Sequence, residues 1–154
     1  MAEREMPAGM KRVMKSPVWK LFQKANTWIY RRTDGKFGGR LAGAPVVLLT
    51  TKGRKSGLPR TVPLLYLRDG GDLVVVASKG GWADHPLWYQ NLCTDPQVQV
   101  QVGRDKRPMV ARTASDDERA RLWPQLVSLY AAYADYQSWT DRKIPLVILS
   151  PPLN

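Results

Sequence analysis

One cysteine and one histidine in 154 residues remove several chemistries at once. Cys93 alone cannot form an intramolecular disulfide, which fits a reducing cytoplasm. His85 and Cys93 are too few imidazole and thiol groups for a zinc centre, so no metal site is expected. Acids are scarce as well: 13 Asp and Glu against 24 Lys and Arg leave a formal charge of +11. No pair of carboxylates suggests general acid–base work, and no Ser/His/Asp grouping suggests a serine hydrolase. No apolar run approaches the roughly 20 residues that cross a bilayer, and no signal peptide is recognisable. The expectation is a cytoplasmic protein, soluble or peripheral on the membrane's inner face. Its excess charge suits nucleic acid, anionic membrane or acidic small molecules without choosing among them.

The length suits one domain with a core of its own. Residues 1–16 are small, polar and basic and are expected to be flexible, leaving residues 17–154 as a single domain opened by a helix over 17–33. In that helix Val18, Leu21, Phe22, Ala25, Trp28 and Ile29 recur at three- and four-residue intervals, with Lys20, Lys24, Thr27 and Arg31 opposite them. A basic amphipathic helix carrying two tryptophans either lies on an anionic membrane or packs on its own domain with the basic face in water.

Strands follow in quick succession. Pro45–Thr51 is a continuous apolar run, as in a strand buried on both faces. Thr61–Arg68 contains Pro63, which argues for an edge or a bulge. Asp69-Gly70-Gly71-Asp72 turns it into Leu73–Ser78. A short helix over His85–Cys93 precedes Val98, Val100 and Val102, which alternate with glutamines as in a strand with one wet face. Pro108–Arg112 is its partner, and Ser115-x-x-Glu118 opens a helix that Trp123-Pro124 should interrupt. Ile144–Leu149 is the last strand. Six strands joined mostly by hairpins, with helices added, predict an α+β fold in which an antiparallel sheet closes into a small barrel.

The segment from Thr50 to Asn91 carries the functional signal. Lys52, Arg54, Lys55 and Arg60 cluster around Gly53 and Gly57 with no acid among them. The spacing is not that of a phosphate loop, and a strand rather than a helix follows. A solvated turn is the ordinary reading of such a loop; the density of positive charge favours an anionic, phosphate-bearing ligand. Ser78-Lys79-Gly80-Gly81 leaves a strand into a glycine pair that lets a flat ligand approach the backbone, and Ser78 is a candidate hydrogen-bond donor. Trp88, Tyr89 and Asn91 follow, and Tyr130, Tyr133 and Tyr136 form a second aromatic set; both sets suit either a packed core or the wall of a planar pocket. With no acid–base pair in sight, catalysis would belong to a bound cofactor.

Thr50 to Arg60, Arg68-Asp69-Gly70-Gly71, Ala77 to Gly81, Pro86 to Leu92, Asp95 to Val100, Trp123 to Leu126 and Tyr136 to Arg142 resemble, in order and spacing, the deazaflavin-dependent nitroreductase family of actinobacteria. The likeness runs from about Trp28 to Leu149. It implies a six-stranded split β-barrel similar to flavin-binding oxidoreductases, with coenzyme F420 as the cofactor. Arg54, Lys55 and Ser56 would hold the coenzyme's phosphate and acidic tail, with Arg60, Thr61, Val62, Pro63, Leu64 and Leu65 alongside. Val76, Ala77, Ser78 and Lys79 would line the deazaflavin together with Leu87, Trp88, Tyr89, Gln90 and Asn91. Tyr133 would sit near the ring, while Ser78, Tyr130 and Tyr136 would face the electron acceptor.

The implied reaction is hydride transfer from the reduced deazaflavin to a planar acceptor, a quinone first, with nitro or conjugated carbonyl compounds as others. The basic helix would match membrane association; neither nucleic acid nor an obligate protein partner is expected. Prodrug-activating members carry tyrosine where this chain has Leu65, and Tyr66 points to the opposite strand face. Nitroimidazole activation is therefore not expected, while coenzyme binding and quinone reduction are unaffected. Two other readings stay open: an FMN-dependent oxidoreductase on the same barrel, and a non-catalytic basic module bound to membrane or nucleic acid.

Overall fold

The computed structural model describes residues 6–41 and 43–153. Its elements, in order, are α1 (Ala8–Lys15), α2 (Pro17–Thr33), β1 (Arg40–Leu41), β2 (Ala44–Lys52), β3 (Pro59–Leu65), β4 (Leu67–Asp69), β5 (Asp72–Val76), a 3-10 turn (Lys79–Gly81), α3 (Leu87–Thr94), β6 (Gln97–Val102), β7 (Asp105–Thr113), α4 (Asp116–Leu129), α5 (Ala132–Ser138) and β8 (Leu146–Ser150).

The uninterrupted apolar run of β2 is explained by burial on both faces. Val47 and Leu49 point into the barrel with Val75, Val98, Val100, Val147 and Leu149. Val46 and Leu48 point outward against Tyr30 of α2. β5 behaves likewise: Leu73 and Val75 face the interior, whereas Val74 and Val76 meet Leu122 and Leu126 of α4 and Tyr133 of α5. Period-two alternation thus serves two cores at once.

All strand pairs are antiparallel, in the order β1-β2-β6-β7-β8-β5-β4, with β3 also on β2. The expected Thr61–Arg68 strand is divided at Tyr66 into β3 and β4, which with two-residue β1 raises the count from six strands to eight. The break has a packing cause. Tyr66 turns its ring into the barrel, while its N–H still donates to the Pro45 carbonyl at 3.2 Å. β3 therefore faces β2 while β4 faces β5, and the sheet curls into a split barrel with α3 lodging Trp88 and Leu92 in its interior. Pro63 sits on β3, whose only strand partner among the described residues is β2, so its missing N–H costs no ladder bond on the outer side.

Two helical expectations change, and of the two readings open for α2 the one that packs its apolar stripe on the domain is excluded. Ala8–Lys15 is helical where an end without regular structure is expected; residues 1–5 of that end lie outside the described residues. α1 is held because Met6 is buried, Met14 rests on Gly80, and Lys15 lies over the Trp82 ring. α4 runs through Pro124 and ends at Tyr130 instead. Pro124 and Ala120 are both exposed, so water can take the carbonyl that the proline leaves unbonded. α2 is inverted with respect to its apolar stripe: Val18 is 74%, Leu21 67%, Phe22 57% and Trp28 61% exposed, while its buried residues are Thr27 and Tyr30. Tyr30 fixes this orientation, since its hydroxyl donates to the Val46 carbonyl at 3.0 Å and accepts from Gly103 N–H at 2.8 Å. The glutamine face of β6 is only partly wet: Gln101 is buried and donates to the Gly103 carbonyl at 2.9 Å.

Candidate active site

A groove of about 950 Å³ lies between α2, the 53–58 turn, the first half of β3 and α3. Lys20, Lys24 and Arg31 line it from the helix, Arg54, Lys55 and Arg60 from the turn and β3, and no Asp or Glu contributes to its wall. Nor does any carboxylate among the described residues pair with these six cations.

The groove is built, not merely open. Asn91 of α3 is 5% exposed; its Oδ1 accepts from Arg54 N–H at 3.2 Å and its Nδ2 donates to Thr51 Oγ1 at 3.1 Å. One buried amide therefore sets the cationic turn against the barrel. The turn is closed by Gly53 N–H to the Leu58 carbonyl and Gly57 N–H to the Gly53 carbonyl, both 2.8 Å. A Cβ on Gly53 would lie 2.7 Å from Ser56 Oγ and 3.1 Å from the Leu58 carbonyl, so a larger residue would displace the serine and press on the turn. On the other wall Arg31 donates to Thr61 Oγ1 at 2.8 Å, and Thr61 shares a 2.8 Å hydrogen bond with Thr50.

A second group of expected site residues gathers at the far end of β3. Tyr130 and Tyr136 share a 3.1 Å hydroxyl–hydroxyl bond, and Tyr133 meets Tyr130 edge-on at 5.0 Å between centroids. Burial raises the phenols of Tyr133 and Tyr136, each helped by Tyr130, so both stay protonated. Beside them, residues 79–81 all have positive φ: 43° at Lys79, 61° at Gly80 and 82° at Gly81. A Cβ on Gly81 would come within 2.7 Å of the Tyr136 carbonyl, so α5 and this loop touch backbone to backbone. Among the described residues nothing hydrogen-bonds Ser78 Oγ, and the buried Trp82 Nε1 has no acceptor.

β3 links the two groups. Thr61, Val62 and Pro63 line the groove, while Leu65 packs against both the tyrosine cluster and the Tyr30 core. Seven residues of strand span roughly 20 Å, enough for an elongated ligand with a ring at one end and an anionic tail at the other.

Not every expected residue faces this path. Tyr89 turns toward β7, sharing a 2.9 Å bond with Thr113 Oγ1, and Gln90 donates to the His85 carbonyl at 3.0 Å. Leu64 packs toward the barrel interior; Val76 and Ala77 are buried in the two cores, so only their backbone is available. Sequence reasoning missed Arg142. Its guanidinium donates to the carbonyls of Trp82 (2.7 Å), Ser78 (2.8 Å) and Ala77 (3.1 Å), with Nη1 3.2 Å from His85 Nδ1. Burial first and Arg142 second depress the pKa of His85, which keeps Nδ1 free to accept. The missed groove residues of α2 are visible in the sequence as the basic stripe, but neither reading open for that helix, membrane contact or a solvated basic face, turns the stripe toward the barrel.

Residues 22–151 match the model of the F420H(2)-dependent quinone reductase family. The chain belongs to that family. A putative F420H(2)-dependent quinone reductase of Mycobacterium tuberculosis is 50% identical over 107 residues, covering 70% of this chain and 90% of that protein. A second F420H(2)-dependent quinone reductase of that species is 45% identical over 127 residues, 79% of this chain and 85% of the relative. Among solved structures, an F420-H2 dependent reductase is 45% identical, with a TM-score of 0.64 over 69% of this chain and 94% of that one. The split barrel is thus the fold of this family of reductases, and the groove, with its length, its charge and its lack of carboxylates, fits a deazaflavin coenzyme with an anionic tail.

Proposed function

We propose that this protein is an F420H(2)-dependent quinone reductase whose coenzyme lies along β3, tail in the cationic groove and ring beside the 77–82 loop. The observation that carries the reading is the single strand wall shared by an acid-free cationic groove and a cluster of protonated tyrosines. Bound there, the reduced deazaflavin supplies the hydride that a quinone takes up. Arg54, Lys55 and Ser56 hold the phosphate, and Thr61, Val62 and Pro63 run beside the chain that joins it to the ring. Leu87 and Trp88 close the groove from α3 and shed water from it. Ser78 Oγ, without a hydrogen-bond partner among the described residues, and the Tyr130–Tyr136 hydroxyl pair are donors for the acceptor oxygen as negative charge grows on it. Leu65 leaves no phenol at that strand position, so a quinone carbonyl, not a nitroimidazole, is the group these donors serve.

The deciding experiment is a fluorescence titration of the purified protein with F420 beside one with FMN. Saturable one-to-one binding of F420 with weak or absent FMN binding is expected, followed by quinone reduction with F420H2. Ser78→Ala then lowers turnover while coenzyme affinity stays within about twofold. FMN binding alone would keep the barrel and overturn the chemistry.

The protein works at the surface of an anionic membrane, where quinones reside. The support is α2, whose apolar stripe faces outward above a basic flank. Burying Val18, Leu21, Phe22 and Ile29 contributes about 1.5–3 kcal/mol each at full transfer, and each nearby Lys or Arg about 1 kcal/mol more at an anionic surface. Leu21→Ser with Phe22→Ser, which removes the apolar contact without adding charge beside the groove, should abolish co-sedimentation with phosphatidylglycerol vesicles and leave F420 binding unchanged. Undiminished sedimentation would sink the attachment.

A further inference from the structure

The N-terminal helix has two faces with different work to do. Its apolar face points away from the protein, yet Lys20, Gln23, Lys24, Thr27, Trp28 and Arg31, at three- and four-residue spacing, form one wall of the groove. A phosphate carries at most about two negative charges, and Arg54, Lys55 and Arg60 on the opposite wall already match it. The three helix cations are therefore in excess of what a phosphate requires, and no carboxylate of the described residues neutralises them. Holding six like charges around one groove costs self-repulsion that a second, extended set of anionic groups removes. The helix is also fixed relative to the opposite wall, through Arg31 to Thr61 at 2.8 Å and Tyr30 to the Val46 carbonyl at 3.0 Å, so the charges on it keep their place.

We propose that α2 is part of the coenzyme site: Lys20 and Lys24 bind the carboxylates of the acidic tail, making this helix the element that discriminates by tail length. The inference rests on the reading of the groove as an F420 site. It separates the phosphate, held by the 53–60 segment, from the tail, held across the groove by the helix. Binding and tail recognition are then two steps of contact with two elements. A coenzyme with more carboxylates gains affinity from α2 alone.

The test is a fluorescence titration of the full chain with F420 bearing its tail and with the same deazaflavin cut back to its phosphate, at low and at moderate salt. The wild type should bind the tailed coenzyme more tightly, and its advantage should shrink as salt rises. Lys20→Gln with Lys24→Gln, both at exposed positions that leave the fold alone, should weaken the tailed coenzyme roughly tenfold and leave the truncated one within twofold. Equal loss for both ligands would mean that the lysines act only through the general field, and the assignment fails. No loss for either, with anionic-vesicle binding reduced instead, would give these lysines to lipid and also overturn it. If neither ligand binds the wild type, the reading of the groove itself is at fault.

Discussion

Arg142 shows how a single side chain can hold a strained loop at the proposed acceptor site. Lys79 sits at φ 43°, a conformation that costs a non-glycine residue about 1–2 kcal/mol. Three carbonyls of the same loop accept from the Arg142 guanidinium at 2.7–3.1 Å, and hydrogen bonds to a charged group contribute about 1.5–3 kcal/mol each. The clamp thus outweighs the strain and keeps the loop, through Gly81, against Tyr136. A lysine keeps the charge but lacks the planar fork that reaches three acceptors at once. Arg142→Lys should therefore destabilise the protein by about 2–4 kcal/mol in urea denaturation and lower kcat more than coenzyme affinity. Unchanged stability would mean that the loop holds itself. Nothing near Arg142 in the sequence announces this role, because its acceptors are 60 to 65 positions away. Ser78 and the glycine pair stand out in the sequence because their features are local: a donor just past a strand and two residues free of Cβ.

Elements were legible where a signal closes on itself within a few residues. The capping box of α4 is one: Ser115 Oγ accepts from Glu118 N–H, and Glu118 Oε1 accepts from Ser115 N–H. The partner that strengthens it was not legible, since Arg112 reaches Glu118 from β7 with two bonds of 2.7 and 2.8 Å. Arg112 first and the Ser115 N–H second hold the Glu118 carboxyl down to about 2, against an ordinary 4.5. The folded value is the lower one, so this stability is fully present above pH 4.5 and is lost as pH falls through about 2. The pair is partly exposed and solvent screens it, so Glu118→Gln should cost only about 1 kcal/mol at pH 7. That difference from the wild type should vanish near pH 2 in denaturant titrations at a series of pH values. A gap that persists there would assign the effect to packing. The same distinction explains α2: helical periodicity foretold the helix and its two faces, whereas which face meets the barrel was decided by Tyr30 and Gly103, 73 residues apart.

The whole molecule carries a charge of +11 and, among its described residues, few ion pairs, all on the surface. Such an excess destabilises the free chain and favours anything anionic that binds it. Salt should then act in opposite directions on the two states. Screening shortens from about 10 Å at 0.1 M to about 3 Å at 1 M, which relieves repulsion in the free protein and raises its Tm. The same screening weakens the hold of the cationic groove on the coenzyme, so the added stability shrinks. At low salt, coenzyme at a hundredfold excess over Kd contributes about 2.7 kcal/mol, or about 5–10 °C in a domain of this size. Thermal melts with and without F420 across a sodium chloride series should therefore converge, the free curve rising toward the bound one. Parallel curves would show that the groove's charge plays no part in holding the coenzyme. In that case the six cations around it would serve a different anion, and the membrane surface would be the place to look for it.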